Sequence, residues 1–416
     1  MSKIKEISSF EILDSRGIPT VMTKIEAEGG IVASSSVPSG SSTGRFEATE
    51  LRDGDKKRFY GKGVLKAVSN VNKIIAPKLK GKDCKDQKAI DEALLELDGT
   101  SNKSKLGANA ILSVSLTVAK LETLSKKVSL YKYLNQSFFS GVKPDLPTPF
   151  SVVIEGGEHS SSNLDIQEFI IAPTEISQFR DKIRSVSEVY QLLGSLLEKR
   201  NQGSNVGLEG AYGPRLETNT EAMDIIVESI REAGYKGKIK LALDIAASEI
   251  YHKDEEAYYL KSEEITLKKQ QLIGLYNEWL LNYPIISIED GLEEEDWGGW
   301  VEMTEKLSSK NVLTIGDDLF VTNPERLEKG IRLKAATGVI IKPNQIGTLT
   351  ETVEAVIQAK EAGLEHIISH RGGDTCDSFI ADLAVASGAN FIKTGAPSRG
   401  ERVAKYDRLL EIAQEI

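Results

Sequence analysis

The spacing of hydrophobic residues changes near residue 148, and this change divides the chain into two predicted domains. The first stretch of about 25 residues alternates between apolar and polar positions and leads through Gly29 and Gly30 into a predicted β-hairpin. Three stretches with helical spacing follow, over 63–80, 86–99 and 107–127. We therefore predict a small α+β domain over 1–137 and a second domain over 138–416, with the proline-containing segment 140–149 as the linker.

The second domain begins with two apolar runs, 150–157 and 168–173, which lie too close together to hold a helix and predict antiparallel strands. Strands and helices then alternate, with predicted helices over 178–200, 220–234, 263–283, 300–309, 323–332, 348–363 and 377–388. Right-handed crossovers between parallel strands would close this sheet into an α/β fold of the (β/α)8-barrel type with antiparallel opening strands. A doubly wound open sheet is the structural alternative. The chain has neither a dinucleotide-binding glycine fingerprint nor a P-loop to support it.

Six apolar runs of the second domain each end in an ionisable residue, at intervals of 23 to 45 residues. Buried parallel strands read as such runs, and functional side chains of a barrel collect at the carboxyl ends of its strands. The terminal residues are Asp244, Glu289, Asp317, Lys342, His370 and Lys393. Three acids, two lysines and a histidine on one rim predict metal-assisted chemistry on an anion.

Composition narrows the possible partners. The net charge of −10 over 416 residues gives no general attraction to nucleic acid or to an anionic membrane, so any anionic ligand must be held by local charge or by metal. The first residues lack the apolar core of a secretory signal, and no run is long enough to predict a membrane span. Cys84 and Cys376 form neither a metal-type pair nor a disulfide framework, which favours a cytoplasmic location.

The residues alone leave alternatives open. Three carboxylates suit Mg²⁺, although each acid by itself is equally well explained as a helix N-cap. The two lysines are explained either as a base and an anion ligand or as simple ion-pair partners of the acids. A single strand-end histidine is more often structural, but Arg371 beside His370 suits phosphate or carboxylate. Glu209 lies between glycines and, without comparison to a known family, is only a weak candidate for a functional residue.

The motifs around these residues make the chain similar to the enolase family over essentially its full length. The matching stretches are DSRGIPTV, VPSGSSTGRFEATELRD, GGEHSSSNLDIQEF, NVGLEG, LALDIAASE, SIEDG, GDDLFVTNPERL, IIKPNQIGTLTET, SHRGGDTCDSFIADLAV and IKTGAPSRGERVAKY. The resemblance implies a small domain that caps a barrel, a cytoplasmic glycolytic lyase, two Mg²⁺ per active site, a small phosphorylated acid as substrate, and a homodimer or larger homo-oligomer.

The resemblance also implies roles for single residues. For metal binding it implies that the first Mg²⁺ is held by Asp244, Glu289 and Asp317, and that a second is bound with the help of Ser39 on the Ser/Gly loop 38–45. For catalysis it implies that Lys342 removes the α-proton of 2-phosphoglycerate and that Glu209, assisted by Glu168, helps to expel the β-hydroxyl. For substrate binding it implies a set made up of His159, Glu168, Ser369, His370, Arg371 and Lys393, with Lys393 at the carboxylate and Arg371 at the phosphate.

Several positions depart from the family pattern. Gly372 replaces a serine and predicts one missing hydroxyl contact to phosphate, whereas Glu155 replaces an asparagine and predicts added negative charge. Leu208 and Ala211 replace an aspartate and a glycine on either side of Glu209, and Ile18 and Gly291 replace an asparagine and a proline. A working enolase is the leading hypothesis. The alternatives are a diverged dehydratase of another hydroxy acid and a non-catalytic scaffold, and the retained base, acid and carboxylates argue against the scaffold.

Overall fold

The computed structural model describes residues 3–40 and 44–416, so positions 41–43 of the predicted Ser/Gly loop lie outside the described residues. The amino-terminal domain opens with an antiparallel sheet in the order β1 (Ile4–Leu13), β2 (Pro19–Ala27), β3 (Val32–Ser36). The turn between β2 and β3 contains Gly29 and Gly30, both with positive φ, which explains the glycines there. The predicted hairpin is confirmed.

Helices follow, of which the first, second and fourth pack against this sheet, and the third and fifth pack on the fourth. They are α1 (Leu65–Asn70), α2 (Ala76–Leu79), α3 (Gln87–Asp98), α4 (Ala108–Lys126) and α5 (Leu130–Phe138). A π-helical segment, Val71–Ile75, joins α1 to α2, so the predicted helix over 63–80 is continuous but irregular. Helix α4 is buried over most of its length, polar residues such as Asn109 and Glu122 included, because β2 and β3 cover one side and other helices the rest.

Eight strands of the second domain close into a barrel. In chain order the strands of this domain are β4 (Thr148–Glu155), β5 (Glu168–Ala172), β6 (Lys240–Asp244), β7 (Tyr251–His252), β8 (Ala257–Leu260), β9 (Ile265–Leu267), β10 (Ile285–Glu289), β11 (Leu313–Gly316), β12 (Gly338–Ile341), β13 (Glu365–Ser369) and β14 (Phe391–Lys393). Strands β7 to β9 form a small separate antiparallel sheet, and the others make the barrel. Strand β5 is antiparallel to β4 and β6, whereas the remaining neighbours are parallel. The predicted barrel with antiparallel opening strands is confirmed.

Helices cover the outside of the barrel. They are α6 (Phe179–Lys199), α7 (Asn219–Glu232), α8 (Lys269–Asn282), α9 (Trp297–Ser308), α10 (Pro324–Leu333), α11 (Pro343–Ile346), α12 (Leu349–Glu361), α13 (Phe379–Ser387) and α14 (Gly400–Ile412). Polar side chains fix several starts. Thr218, Asp296, Asn323 and Thr348 each accept a hydrogen bond from a main-chain N–H in the first turn of the helix that follows. Among the residues that the structure describes, no helix is long and apolar enough to cross a membrane.

The amino-terminal domain contacts the carboxyl-end rim of the barrel. Ser39 and Gly373 exchange two main-chain hydrogen bonds, of 2.7 and 2.9 Å, and so join the start of the Ser/Gly loop to the loop after β13. Nearby, Asp377 from the barrel accepts hydrogen bonds from Lys120 of α4 and Ser35 of β3. These contacts hold the small domain beside the strand ends that carry the ionisable residues.

Candidate active site

The register of the barrel strands brings the predicted rim residues together. Asp244, at the end of β6, is paired in register with Glu289 of β10 on one side and with Glu168 of β5 on the other. The predicted residues Asp317, Lys342 and His370 each follow directly after their strands, as ionisable residues at the carboxyl ends should. The side chains of neighbouring strands therefore converge on one buried centre.

Lys393 lies among three carboxylates of this centre. Its Nζ is 2.7 Å from Glu168 Oε2, 2.9 Å from Asp244 Oδ2 and 2.9 Å from Glu289 Oε1, and all four side chains are buried. Burial by itself lowers the pKa of Lys393, but these negative charges outweigh it and hold the pKa well above its usual value. Lys393 is therefore a fixed positive charge in this structure.

Lys342 forms a close ion pair with Asp317, whose other oxygen accepts a hydrogen bond of 3.0 Å from Gln345. Burial acts to lower the pKa of Lys342, yet the charge of Asp317 outweighs it and the pKa is raised. The carboxylate of Asp317 therefore favours the charged form of Lys342.

A second group of acids lies beside these pairs and joins the predicted Asp317 to Asp290 and Asp318, which sequence reasoning missed. Carboxylate oxygens of Asp290, Asp317 and Asp318 lie within 4.8 Å of one another. Asp290 also accepts main-chain hydrogen bonds from Asp317 (3.0 Å) and Asp318 (2.9 Å), which fixes the chain just after β11. The available signal was that two successive strands end in acid doublets, Glu289–Asp290 and Asp317–Asp318.

The carboxylates of this rim fit a divalent cation. Glu289 Oε2 is buried and has no hydrogen-bond partner among the described residues, although its other oxygen contacts Lys393. Burial, together with the charge of Asp244, raises the pKa of Glu289 well above its usual value, and burial next to Asp317 raises the pKa of Asp318 to about 8. Mg²⁺ prefers oxygen ligands, and carboxylate oxygens that no nearby positive charge neutralises are suitable donors. Of the sequence-predicted set, Asp317 belongs to the group of three acids, whereas Asp244 and Glu289 contact Lys393.

Three other predicted residues form an acid–histidine cluster. His159 Nδ1 lies 3.4 Å from Glu168 Oε1 and 3.8 Å from Glu209 Oε1, and all three side chains are buried. Burial lowers the pKa of His159, but the charges of Glu209 and Glu168 outweigh it and raise the pKa to about 9. Burial alone would raise the pKa of Glu209, yet the close imidazoles of His370 and His159 hold that pKa well below its usual value. At neutral pH the proton of this cluster therefore lies on His159.

His370 joins the cluster to a buried arginine that sequence reasoning did not single out. His370 Nε2 lies 3.2 Å from Glu209 Oε2, and its Nδ1 accepts a hydrogen bond of 2.6 Å from Arg402. Burial and the charge of Arg402 lower the pKa of His370 to about 4, so the imidazole is neutral. Arg402 also donates to the carbonyl oxygens of Arg371 and Gly372 and so fixes the loop that carries them.

Arg371, the predicted phosphate ligand, pairs with a carboxylate of the amino-terminal domain. Its two terminal nitrogens lie 2.9 and 3.1 Å from the oxygens of Glu47, and one of them also contacts Asn344 at 3.2 Å. Ser369 lies at the same rim and donates its hydroxyl to the carbonyl oxygen of His370 at 3.0 Å. The guanidinium fork of Arg371 thus faces an anionic group already in this structure.

Ser39 is not brought to the carboxylate cluster. Its hydroxyl oxygen accepts hydrogen bonds from Arg52 (2.7 Å) and Arg16 (3.1 Å), and it donates to Glu50 at 3.0 Å. A hydroxyl that accepts from two guanidinium groups is not directed toward a cation. Its predicted part in binding a second Mg²⁺ remains a prediction.

The space between these groups is small. The cavity at the rim measures about 20 Å³. It is lined by the carboxylates and lysines, by the acid–histidine cluster, and by Gly372. A larger open cleft of about 1060 Å³ lies beside it and shares Gln167 with its lining. The ion pairs of Lys342, Lys393 and Arg371 fill the centre, so a small acid that enters must take over some of their contacts.

The fold and the site define a capped (β/α)8-type barrel with an acidic and basic centre at the carboxyl ends of its strands, the architecture of a barrel enzyme. Two family models match the chain, one described as the enolase N-terminal domain over residues 4–134 and the other as the enolase C-terminal TIM barrel domain over 143–416. The protein belongs to the enolase family and is a lyase of the enolase superfamily. That family depends on metal and binds small acid substrates.

Proposed function

We propose that this protein interconverts 2-phosphoglycerate and phosphoenolpyruvate plus water, the reaction of enolase in glycolysis. The observation that carries the proposal is that one buried centre contains a lysine at a strand end, a second lysine among three carboxylates, and an acid–histidine cluster. Each group has a task in removing a proton and a hydroxyl from adjacent carbons.

Lys342 is the proposed base. The proton on carbon 2 passes to Lys342 Nζ, its bonding electrons form the new double bond, and the hydroxyl on carbon 3 leaves. Burial and the charges of Arg371 and Lys393 act to lower the pKa of Lys342, whereas contact with Asp317 raises it. The neutral amine that accepts a proton is therefore favoured once the contact with Asp317 is loosened.

Glu209 is the proposed acid, assisted by Glu168 and His159. The pKa of His159, raised to about 9, favours its protonated form, and His159 Nδ1 lies 3.8 Å from Glu209 Oε1. Delivery to the leaving hydroxyl then requires transfer through Glu209, whose two oxygens lie 3.8 Å from His159 Nδ1 and 3.2 Å from His370 Nε2. His370, neutral and held by Arg402, orients Glu209.

Substrate binding uses the remaining charges of the rim. Lys393 would hold the substrate carboxylate, and Arg371 would exchange Glu47 for phosphate. Mg²⁺ held by Asp244, Glu289 and Asp317, with a second Mg²⁺ near Ser39 and the phosphate, would supply the positive charge that stabilises a second negative charge on the substrate carboxylate. For the second ion, Ser39 must give up its present arginine partners.

The test is turnover of 2-phosphoglycerate with Mg²⁺, followed as the ultraviolet absorbance of phosphoenolpyruvate. We expect Lys342→Ala and Glu209→Gln to lower kcat by roughly 10²- to 10⁴-fold, the range for loss of a general acid or base. Lys310→Ala removes an exposed lysine outside the site and serves as the matched control. Wild-type protein that binds Mg²⁺ and does not form phosphoenolpyruvate would disprove the proposal.

A dehydratase of a different hydroxy acid is the second candidate. It is favoured by Gly372, which lines the centre without a side chain where a hydroxyl contact to phosphate is expected. Activity on a hydroxy acid without phosphate, together with none on 2-phosphoglycerate, would support this candidate.

The leading proposal includes a cytoplasmic location and a homodimer or larger assembly. Sedimentation of the purified protein measures the assembly.

A further inference from the structure

Glu155, the last residue of β4, has a fully buried carboxyl group that the proposed reaction does not use. One of its oxygens, Oε1, accepts two main-chain hydrogen bonds, from Glu209 N–H at 3.0 Å and from Ala211 N–H at 2.8 Å. The residue between these two, Gly210, has a φ of +87°. The carboxyl therefore closes a tight turn whose first residue is the proposed catalytic acid.

The same turn is held on its other sides by main-chain and side-chain contacts. Leu208 N–H donates to the carbonyl oxygen of His159 at 3.0 Å, and Gly207 N–H donates to that of Ala211 at 2.8 Å. Tyr190 donates its hydroxyl to the carbonyl oxygen of Gly210 at 2.6 Å. The Glu155 side chain holds the N–H groups of Glu209 and Ala211, whereas the carbonyl oxygen of Glu209 accepts a hydrogen bond of 3.1 Å from Ala396 N–H, so Glu155 fixes the N–H side of this turn.

The packing leaves little freedom for Glu155 to move. A Cβ atom at Gly207 would come within 2.3 Å of Glu155 Oε2 and 2.7 Å of the carbonyl oxygen of His159, so glycine is needed at that position. Glu155 Oε2 itself is buried without a hydrogen-bond partner among the described residues. The carboxyl is fixed by shape on one side and by two N–H donors on the other.

We propose that Glu155 is a positioning residue that sets the distance of the Glu209 carboxylate from the reacting hydroxyl by holding the main-chain N–H groups of Glu209 and Ala211. The inference depends on the role of Glu209 in the proposed function. In this inference Glu155 does not touch the substrate and acts on the reaction only through the position of Glu209.

The charges around Glu155 show which of its properties matters. The carboxyl faces Glu209 on the turn, His159 on the 3-10 segment after β4, Glu168 on β5 and the phenol of Tyr190 on α6. Burial, with the charge of Glu209, raises the pKa of Glu155 to about 8. At pH 7 the group is therefore mostly uncharged, and the negative charge expected from the sequence is largely absent. An uncharged acceptor of the same shape should replace it.

The test compares three variants of the full chain. Glu155→Gln keeps a carbonyl oxygen for both N–H groups, Glu155→Ala removes it, and Glu155→Met removes it with less loss of volume. Glu175→Gln, an exposed acid after β5, is the control for a general loss of charge. For each variant kcat and KM for 2-phosphoglycerate are measured, together with hydrogen exchange of the Glu209 and Ala211 amides.

We expect Glu155→Gln to keep kcat within about threefold of wild type, because an amide carbonyl accepts the same bonds. Glu155→Ala and Glu155→Met should lower kcat by about 100-fold with KM nearly unchanged, since the acid is displaced while the substrate ligands stay. The two amides should exchange at least about tenfold faster in these variants and remain protected in Glu155→Gln. If Glu155→Ala does not fold, Glu155→Met gives the answer.

Two results would overturn the inference. One is a folded Glu155→Ala or Glu155→Met protein with wild-type kcat and protected amides. The other is a Glu155→Gln protein as impaired as these two, which would mean that the acidic proton matters and not the acceptor. The exchange measurement needs no substrate. It therefore still tests whether Glu155 holds the turn if wild-type protein fails to convert 2-phosphoglycerate, and that failure would overturn the proposed function alone.

Discussion

Ion pairs between single side chains balance the buried charges of this site. Lys393 is matched by three carboxylates, Lys342 by Asp317 and Arg371 by Glu47. Buried charges are tolerated only when paired, because the loss of hydration is otherwise too large. Each lysine or arginine that must bind a substrate anion therefore forms an ion pair with a carboxylate of the protein.

One prediction at this scale concerns Gly372, whose carbonyl oxygen accepts a hydrogen bond from Arg402 at 2.7 Å. Gly372→Ser adds a hydroxyl at the lining of the centre, and a hydrogen bond to a charged phosphate contributes roughly 1.5–3 kcal/mol. We expect KM for 2-phosphoglycerate to fall about tenfold or more, with kcat nearly unchanged, in steady-state assays. An unchanged KM would show that another group already satisfies the phosphate.

Metal dependence is a second prediction at the scale of residues. The buried Glu289 Oε2 without a partner should gain one when Mg²⁺ binds, and a ligand at 100 times its Kd stabilises the folded state by about 2.7 kcal/mol. Mg²⁺ should therefore raise Tm in a thermal unfolding experiment, and chelation should abolish turnover. Asp244→Asn, which removes a negative charge and keeps the shape, should reduce the Mg²⁺-dependent shift. An equal shift in this variant would contradict the assignment of Asp244 as a ligand.

At the scale of elements, strands buried on both faces were predictable and small insertions were not. The six apolar runs predicted the ends of β6 and β10 to β14 because parallel barrel strands are apolar at nearly every position. The longest interval, from Asp244 to Glu289, contains the small sheet of β7 to β9, which the periodicity did not reveal. The predicted helix over 263–283 was wrong at its start, since Ile265–Leu267 is β9 and α8 begins at Lys269.

In the candidate site, too, some features were predictable from the sequence and others were not. The ionisable residue at each strand end could be predicted because its position depends on local pattern alone. Which acid contacts which lysine could not, because it depends on register between strands far apart in sequence, as for Glu168 beside Asp244. Glu47 and Glu155 were also beyond prediction in their roles, since one contact crosses the domains and the other depends on a tight turn.

The packing of helix α13 against strand β13 leads to a prediction about the pH dependence of stability. His366 of β13 is buried and contacts Ser387 of α13 at 3.2 Å, and burial with the charge of Lys360 lowers its pKa to about 4. The usual value of about 6.5 applies in the unfolded chain, so between pH 6.5 and 4 the unfolded state binds the extra proton. His366 therefore contributes stability that is present above pH 6.5 and is lost as the pH falls toward 4.

The measurement is the free energy of unfolding in urea at pH 7 and at pH 4.5, for wild type and His366→Gln. The glutamine can donate to Ser387 but does not titrate. We expect the stability of wild type relative to the variant to fall by about 2 to 3 kcal/mol between the two pH values. His252→Gln, at an exposed histidine, should show no such change. Parallel curves for wild type and His366→Gln would show that His366 is not buried in its neutral form.

At the scale of the whole molecule, the position of the small domain decides whether the site is complete. Glu47, Ser39 and Arg16 come from that domain, whereas Arg371 and Gly373 come from the barrel. Activity should therefore depend on contacts between the domains that lie away from the site. The pair of Lys120 and Asp377 is the clearest of these, because both oxygens of Asp377 lie 2.7 Å from Lys120 Nζ and one also accepts from Ser35 and Ser36.

Asp377→Ala would leave the partly exposed Lys120 and the hydroxyl of Ser35 without their shared acceptor. A hydrogen bond to a charged group contributes about 1.5–3 kcal/mol, so we expect the variant to unfold at a clearly lower temperature and the small domain to separate first. An exposed contact between the domains, Lys132 with Glu415 at 3.1 Å, provides the matched control. Glu415→Gln should change Tm little, because exposed pairs are screened by solvent. Calorimetry measures the unfolding temperatures of both variants, and turnover is measured below the first transition. If Asp377→Ala behaves as Glu415→Gln does, the pair of Lys120 and Asp377 does not hold the small domain in place, and the ion pair between Glu47 and Arg371 forms without help from Asp377.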